Sequence, residues 1–328
     1  MDINNINNKL LIIALLIISV LFINTTNATT YDNDSELLSF CKKECHNKKL
    51  NTERFCKKCQ TLERRARQKR QEKNENFEGL DYYTLLKKIN YELLVLEAKI
   101  GNQSLNFIRL GKKNDGGYVV PTKALEAADV LMGYGISDDI SFERDFSKNY
   151  NKISYGFDCG VRNITTGDPK CHFLSECIGS SDYLYKNQKS SGVISSFTEQ
   201  RQRLNLTNKK ILIKMDIEGA EYNVMEDILK YSKDITGIVL EVHDVDKKSK
   251  ELLKILYSLD ENFILVHVHG NNCSGKVRRI NLPKVLELTY INKYLVDTYQ
   301  ISSNQKHPLP IDQVNCISNP EHTFEIKV

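Results

Sequence analysis

Proline and glycine are scarce in this chain, at 6 and 16 of 328 residues, which excludes a collagen-like or proline-rich protein. Nor does one sign of charge dominate, because the formal net charge is only +4. That small sum hides a split. Cys41 to Lys73 holds 13 Lys and Arg against 4 Asp and Glu, a local +9, so the remaining 33 basic and 38 acidic residues sum to −5. The main body is mildly acidic, and a nucleic-acid-binding reading of the whole chain loses its support. Two compact signatures are also missing: there is no complete G-x-G-x-x-G and no H-E-x-x-H. What remains, with 41% hydrophobic and 27% charged residues, has a globular composition.

The longest apolar run, Leu10 to Ile23, is 14 residues, short of the roughly 20 that a membrane span needs. It follows Lys9 and precedes NTTNATT, which fits a signal peptide cut after Ala28 or an uncleaved signal anchor, and either directs the chain to the secretory pathway. This segment, residues 1–30, is the expected route to any membrane. Asn-x-Ser/Thr triplets begin at Asn24, Asn27, Asn33, Asn102, Asn163, Asn205 and Asn272.

Residues 31–103 read as a charged helical stalk. Cys41, Cys45, Cys56 and Cys59 within it are spaced C-x3-C-x10-C-x2-C, which suits a zinc knot or two disulfides, and an oxidising lumen favours disulfides. The basic run Leu62–Lys73 reads as a solvated helix face. Leu86, Ile89, Leu93, Leu96 and Ile100 repeat at 3-4-3-4 spacing, which predicts a helix with one apolar stripe.

From Ser104 the pattern changes to short apolar runs separated by helical stretches. Ala128–Met132, Ile153–Phe157, Lys210–Met215, Gly237–Val242, Phe263–Val268 and Val285–Thr289 read as strands. Ser141–Tyr150, Ser196–Leu204, Tyr222–Tyr231 and Lys247–Leu259 read as helices between them. Such alternation implies an α/β fold with a mostly parallel sheet covered on both faces, and ligands then bind beyond the carboxyl ends of the strands. Residues 104–300 form this expected domain, and residues 301–328 an irregular tail.

Four clusters sit at those strand ends. Gly133-Tyr134-Gly135 and Ser137-Asp138-Asp139 follow the first strand, where glycine lets a backbone approach a ligand. Asp158 ends the second, a position from which a carboxylate accepts hydrogen bonds from ribose or caps a turn. Asp216-Ile217-Glu218 follows a buried strand, where charge is costly unless it faces a cleft, and Gly219 permits the turn into a helix. Finally, Glu241 and His243 share one face of a strand, as do His267 and His269.

KMDIEGAEY (Lys214–Tyr222) resembles the K-x-D-x-E-G-A-E signature of the FkbM-type methyltransferases, a branch of the class I S-adenosylmethionine-dependent enzymes. RLGKKNDGGYVVP (Arg109–Pro121), MGYGISDDISFE (Met132–Glu143) and HVHGNNC (His267–Cys273) are similar to blocks of its secreted eukaryotic members, and the resemblance spans Phe107 to Leu295. It implies a seven-stranded, Rossmann-like sheet, S-adenosylmethionine as donor and O-methyl transfer to a glycan, glycoprotein or other secretory-pathway hydroxyl. Gly133 and Gly135 then pass under the donor's methionine part, Asp158 holds its ribose, and Cys177-Ile178 borders its adenine. Asp216 sits beside the donor's amino group or the acceptor. One position departs: Leu131-Met132 stands where an acid is expected before the first glycine, with Asp138 or Asp139 as substitute.

A hydroxyl acceptor needs help losing its proton. His243 is the expected general base, oriented by Glu241 or Glu218, with His269 in reserve. Asp216, Glu218, His243 and His269 form no compact ligand motif, so no metal is expected there, although mixed carboxylate–imidazole sets do hold metals. Asn114–Tyr118 (NDGGY) closes over the donor or is a plain turn. Two other functions fit the same plan: a secretory glycosyltransferase using a nucleotide-sugar and a divalent metal at Asp216-Ile217-Glu218, or a non-catalytic lumenal binding protein. The domain's five cysteines, Cys159, Cys171, Cys177, Cys273 and Cys316, bring the total to an odd nine, and a Cys159–Cys171 bridge is expected.

Overall fold

The structure, a computed structural model, describes residues 77–179, 193–277 and 280–326. By its contacts the chain divides into two compact units, Met1–Glu75 and Asn76–Val328. The apolar run, the stalk cysteines, the basic run and the first three glycosylation triplets lie outside the described residues. Among the described residues, no helix is long and apolar enough to cross a membrane.

The second unit starts well ahead of residue 104. Its first helix, α1 (Tyr82–Glu92), begins at Asp81, whose side chain accepts the amides of Tyr83 and Thr84. The single helix expected through Ile100 is corrected here. The helix ends at Leu93, and Leu96–Ile100 is a strand paired antiparallel with Thr298–Ile301. The stripe splits because Leu96-Glu97-Ala98-Lys99-Ile100 alternates apolar and charged residues, the pattern of a half-buried strand once a partner edge is present.

The central sheet has seven strands: β1 (Val130–Tyr134), β2 (Ile153–Phe157), β3 (Cys171–Leu174), β4 (Ile211–Met215), β5 (Ile235–Val242), β6 (Phe263–Gly270) and β7 (Leu286–Asn292). They lie in the order β6-β7-β5-β4-β1-β2-β3. The pairs β4–β5, β4–β1, β1–β2 and β2–β3 are parallel. Only β7 runs against the rest, between β5 and β6. Strand order reverses between β1 and β4, the place where doubly wound sheets bind their ligands.

Alternate residues of each strand feed two cores. Val130, Met132 and Tyr134 of β1 and Ile211, Ile213 and Met215 of β4 pack under α1, α4 (Phe197–Arg203), α5 (Glu221–Leu229) and α6 (Ser249–Leu259). Leu131, Leu212, Val239 and Ile291 pack under α2 (Thr122–Ala127), α3 (Ser141–Tyr150) and a hairpin of Phe107–Leu110 with Tyr118–Pro121. Period-two alternation thus covers both faces.

The tail is pinned to the domain by a short pairing of Lys306-His307 with Phe324-Glu325, and Phe324 and Ile326 are buried in the first core. One further expectation is corrected. Cys159 bonds Cys177 rather than Cys171, and Cys273 bonds Cys316. Cys171 opens β3 with its thiol against Ile136 and Ile140, so it stays free, and burial pushes it up to about 11. Two disulfides in one domain fit an oxidising compartment.

Candidate functional site

The end of β1 is pressed against the end of β4. Gly135 has φ +75°, and a Cβ there would lie 1.5 Å from the Asp216 carbonyl oxygen, so only glycine fits. At Gly133 a Cβ would lie 1.9 Å from Glu143 Oε1. Glu143, from the first turn of α3, thus puts a carboxylate directly against Gly133. Glu143 is fully buried and its Oε1 has no hydrogen-bond partner. Burial raises its pKa to about 7 against the opposing pull of Lys214. Lys214 Nζ donates to the Gly135 carbonyl at 3.1 Å and stands 5.3 Å from the centre of the Tyr118 ring. The expected substitutes do something else. Asp139 accepts the Ser141 amide at 3.0 Å at the start of α3, and Asp138 is exposed in the turn.

Asp158 is at the end of β2, as expected, and it already has work in the protein. Its two oxygens accept the Ser137 amide at 2.8 Å and the Gly160 amide at 2.7 Å. Each oxygen keeps a further lone pair. The Cys159–Cys177 disulfide ties the residue after Asp158 to Cys177 and, through it, to the buried Ile178. The positions assigned to ribose and adenine are thus held together covalently.

The third group gathers around His243. Glu218 has φ +54° and Gly219 φ +93°, so two consecutive left-handed residues turn the chain from β4 into α5. That turn brings back Glu221, which is fully buried and accepts from the amides of Gly219 and His243. Glu221 Oε1 lies 2.9 Å from His243 Nδ1 and orients the ring, the role expected of Glu241 or Glu218. Those two acids instead face Nε2, each at 3.5 Å, with Asp216 Oδ1 at 3.7 Å. Burial alone lowers the His243 pKa, but the Glu221 hydrogen bond and the charges of Glu221, Asp216 and Glu218 outweigh it and raise it.

Tyr118 joins the group from the hairpin. Its hydroxyl lies 2.9 Å from Asp216 Oδ2 and 3.2 Å from Glu241 Oε2. Burial, then Glu241 and Asp216, raise the Tyr118 pKa well above its ordinary value. Burial, then Asp216 and Glu287, do the same to Glu241, whose Oε1 accepts from Asn271 at 3.0 Å. The NDGGY segment is tied down on one side, where the Asn114 side chain donates to the Val314 carbonyl. Its last residue, Tyr118, reaches the cluster.

His269, the expected reserve, belongs elsewhere. Its Nδ1 lies 3.0 Å from Glu287, its Nε2 is 3.5 Å from Glu321 of the tail, and its side chain is 2% exposed. His267 pairs with Asp312 at 2.9 Å, also under the tail.

Sequence reasoning had placed Asp216, Glu218, Glu241 and His243 together, and the structure brings them together. It had not placed Tyr118 in the cluster, and it had quoted Glu143, Glu221 and Asn271 only within longer blocks, without a role. The EGAE stretch contained Glu221, but only a helix turn after a left-handed pair reveals that it faces backwards. Asp216 is the hinge of the whole arrangement: its carbonyl meets Gly135 and its side chain meets Tyr118 and His243. Asp216, Glu241 and His243 each offer one ligand atom within 4.8 Å of the others, a set that also suits a cation. Comparison with known protein families and with curated proteins finds no match for this chain.

Proposed function

We propose that this protein is an S-adenosylmethionine-dependent O-methyltransferase of FkbM type, with a Rossmann-like class I domain, acting on a hydroxyl of a glycan or glycoprotein in the secretory pathway. The observation that carries the reading is the position of Asp216 between a glycine turn and a carboxylate–imidazole cluster. One side suits a nucleoside-bearing donor, the other an acceptor that must lose a proton, and both lie at the reversal of strand order.

In this reading Gly133 and Gly135 let the backbone pass under the donor, Asp158 accepts from its ribose, and Cys177-Ile178 borders its adenine. When bound, the donor supplies an electrophilic methyl group on a positively charged sulfur. His243 Nε2 takes the proton of the acceptor hydroxyl, and Glu221, behind Nδ1, stabilises the imidazolium that results. Glu218, with its side chain 87% exposed, stands at the mouth of the cluster where an acceptor enters. Glu241 and Asp216, joined through Tyr118, fix the floor. The chain's N-terminal apolar segment delivers the domain to an oxidising lumen, in keeping with its two disulfides.

A second reading, a nucleotide-sugar transferase, is favoured by one observation, the metal-type grouping that includes Asp216. Calorimetric titration of the purified full chain separates the two. Micromolar binding of S-adenosylhomocysteine, lost in folded Asp158→Ala, is the expected result. Binding of uridine diphosphate with manganese alone moves the protein to the glycosyltransferases. Folded protein that binds neither puts the reading of a non-catalytic lumenal binding protein ahead of both.

A further inference from the structure

Four carboxylates surround the His243 ring: Glu221 at Nδ1, and Asp216, Glu218 and Glu241 at Nε2. One imidazolium offsets only one of them, and Glu241 and Glu221 are almost wholly buried. The second observation concerns orientation. Glu221 occupies Nδ1, which turns the Nε2 lone pair of the neutral ring towards Asp216 and Glu241, the carboxylate–histidine pairing that fixes metal-binding imidazoles elsewhere. Tyr118 engages the other oxygen of both acids, Asp216 Oδ2 and Glu241 Oε2, which leaves Asp216 Oδ1 and Glu241 Oε1 facing His243. Asp216 Oδ1 is buried without a hydrogen-bond partner, and Glu241 Oε1 has only the Asn271 amide.

The spacing comes close, with one distance inside the range for a shared ion and one a few tenths of an ångström beyond it. Donors sharing an ion at about 2.1 Å stand about 3.0–3.5 Å apart. His243 Nε2 is 3.5 Å from Glu241 Oε1 and 3.7 Å from Asp216 Oδ1. We propose that Asp216 Oδ1, Glu241 Oε1 and His243 Nε2 bind a first-row divalent cation, manganese or zinc in character, with the remaining coordination positions open towards Glu218. Two carboxylates with one imidazole suit such ions better than calcium or copper(I). The expectation that these residues bind no metal is thereby revised. Compact motifs place two ligands on one helix, whereas these three come from the ends of β4 and β5 and meet only in the folded sheet.

Cation binding does not depend on the methyl-transfer reading. Its role does: resting on that reading, the cation replaces His243 in acidifying the acceptor hydroxyl, because one lone pair cannot hold both a metal and a proton. The proton then passes to Glu218, the exposed carboxylate of the set.

The test is Mn2+ binding to the chelator-treated full chain, followed by electron paramagnetic resonance, with Zn2+ as competitor and circular dichroism to confirm folding. One Mn2+ per chain, displaced by Zn2+, is expected. Asp216→Asn and His243→Gln abolish it, Glu221→Gln weakens it about 10–100-fold, and His269→Gln leaves it unchanged. Folded wild-type protein that binds neither ion, or binding that persists in both Asp216→Asn and His243→Gln, overturns the proposal. S-adenosylhomocysteine binding to the metal-free chain is measured in parallel. Donor binding without any cation site defeats this inference alone, and a cation site without donor binding defeats the methyltransferase reading alone.

Discussion

His243 and His269 are built alike and kept differently. Each follows or ends a central strand, and each has Nδ1 about 3 Å from a buried glutamate, Glu221 at 2.9 Å and Glu287 at 3.0 Å. Glu241, Glu287 and His269 are even in register across β5, β7 and β6, so one row of paired positions connects the two neighbourhoods. The difference lies in what covers Nε2. At His243 it is a ring of carboxylates that opens to solvent at Glu218. At His269 it is the C-terminal tail, with Glu321 over the ring, Asn315 on Glu287 at 2.6 Å, and a disulfide from Cys273 to Cys316 holding the cover down. Residue type and local pairing did not decide which histidine is sealed and which opens towards solvent. A segment more than forty positions away in the chain did.

The sharpest way to break that contrast is to release the cover. The Cys273–Cys316 bridge closes a loop with a sequence separation of 43. Chain-entropy reasoning gives such a loop about 4 kcal/mol of stability. Cys273→Ser with Cys316→Ser is expected to lose that amount in urea denaturation. It should also expose His269 to acylation by diethyl pyrocarbonate while leaving the reactivity of His243 unchanged. Equal protection of His269 in the double variant would mean that the disulfide is not what seals this end.

A second contrast is in pH. Burial lowers the pKa of His269, but Glu287, Asp312 and Glu321 outweigh it and raise it from 6.5 to about 9. The folded state therefore holds its proton more tightly than the unfolded chain. That stabilisation is complete below pH 6.5 and is lost as pH rises through about 9, with an upper limit of about 3 kcal/mol. His269→Gln should remove the alkaline decline from the stability curve, as read by denaturant midpoints between pH 6 and pH 10. An unchanged decline in His269→Gln would assign the loss to other groups.

The glycine-turn side of Asp216 carries its own titration in a lower window. Glu143 is raised by burial from 4.5 to about 7, so stability falls as pH climbs from 4.5 to 7 and is flat above. Glu143→Gln removes that ionisation but leaves a buried amide with no partner for one of its groups, which costs about 1 kcal/mol. The net gain at pH 8 is expected to be about 2 kcal/mol, and at pH 4 the variant should be no more stable than wild type. Gly133→Ala, by contrast, drives a methyl group into the Glu143 carboxylate and should destabilise at every pH.

Which parts of this were legible in the sequence follows from how far each signal reaches. Six of the seven central strands and four helices appear as local periodicity, and Ser141–Tyr150 has the predicted bounds. The seventh strand, Cys171–Leu174, has only four residues and too little pattern to register. Leu93 and Leu96 satisfied a helical stripe, but the edge strand Thr298–Ile301 captured the second half of it, and nothing nearby in sequence announces that partner. In the site, Asp216 and Glu218 were readable because charge directly after a buried strand is costly without a purpose, and Glu241 and His243 because strand alternation puts them on one face. Tyr118, Glu143 and Asn271 were not, because each reaches the cluster from another element. The Cys159 pairing failed for the same reason: flanking a loop says little, whereas the register of β2 with β3 turns Cys171 into an apolar corner.

The smallest effect is the most exacting about the sealed end. Asn102, Asn163 and Asn205 are exposed, whereas Asn272 is 1% exposed. The Asn272 side chain donates to the Cys316 carbonyl at 2.9 Å and the Asn319 carbonyl at 3.0 Å, and it accepts the Cys316 amide at 2.8 Å. Every polar atom of that amide is thus committed to the tail, and the next residue, Cys273, is in the disulfide. A glycan on Asn272 would displace the tail and uncover His269. Peptide mapping of protein made in a secretory host should therefore find sugar at some or all of the three exposed triplets and none at Asn272. With Cys273→Ser and Cys316→Ser, Asn272 should become partly occupied as the closed and open forms compete with the transferase. Full occupancy in the wild type would mean that the tail does not close over this strand end, and the distinction between the two histidines would then have to rest on Glu221 and Glu287 alone.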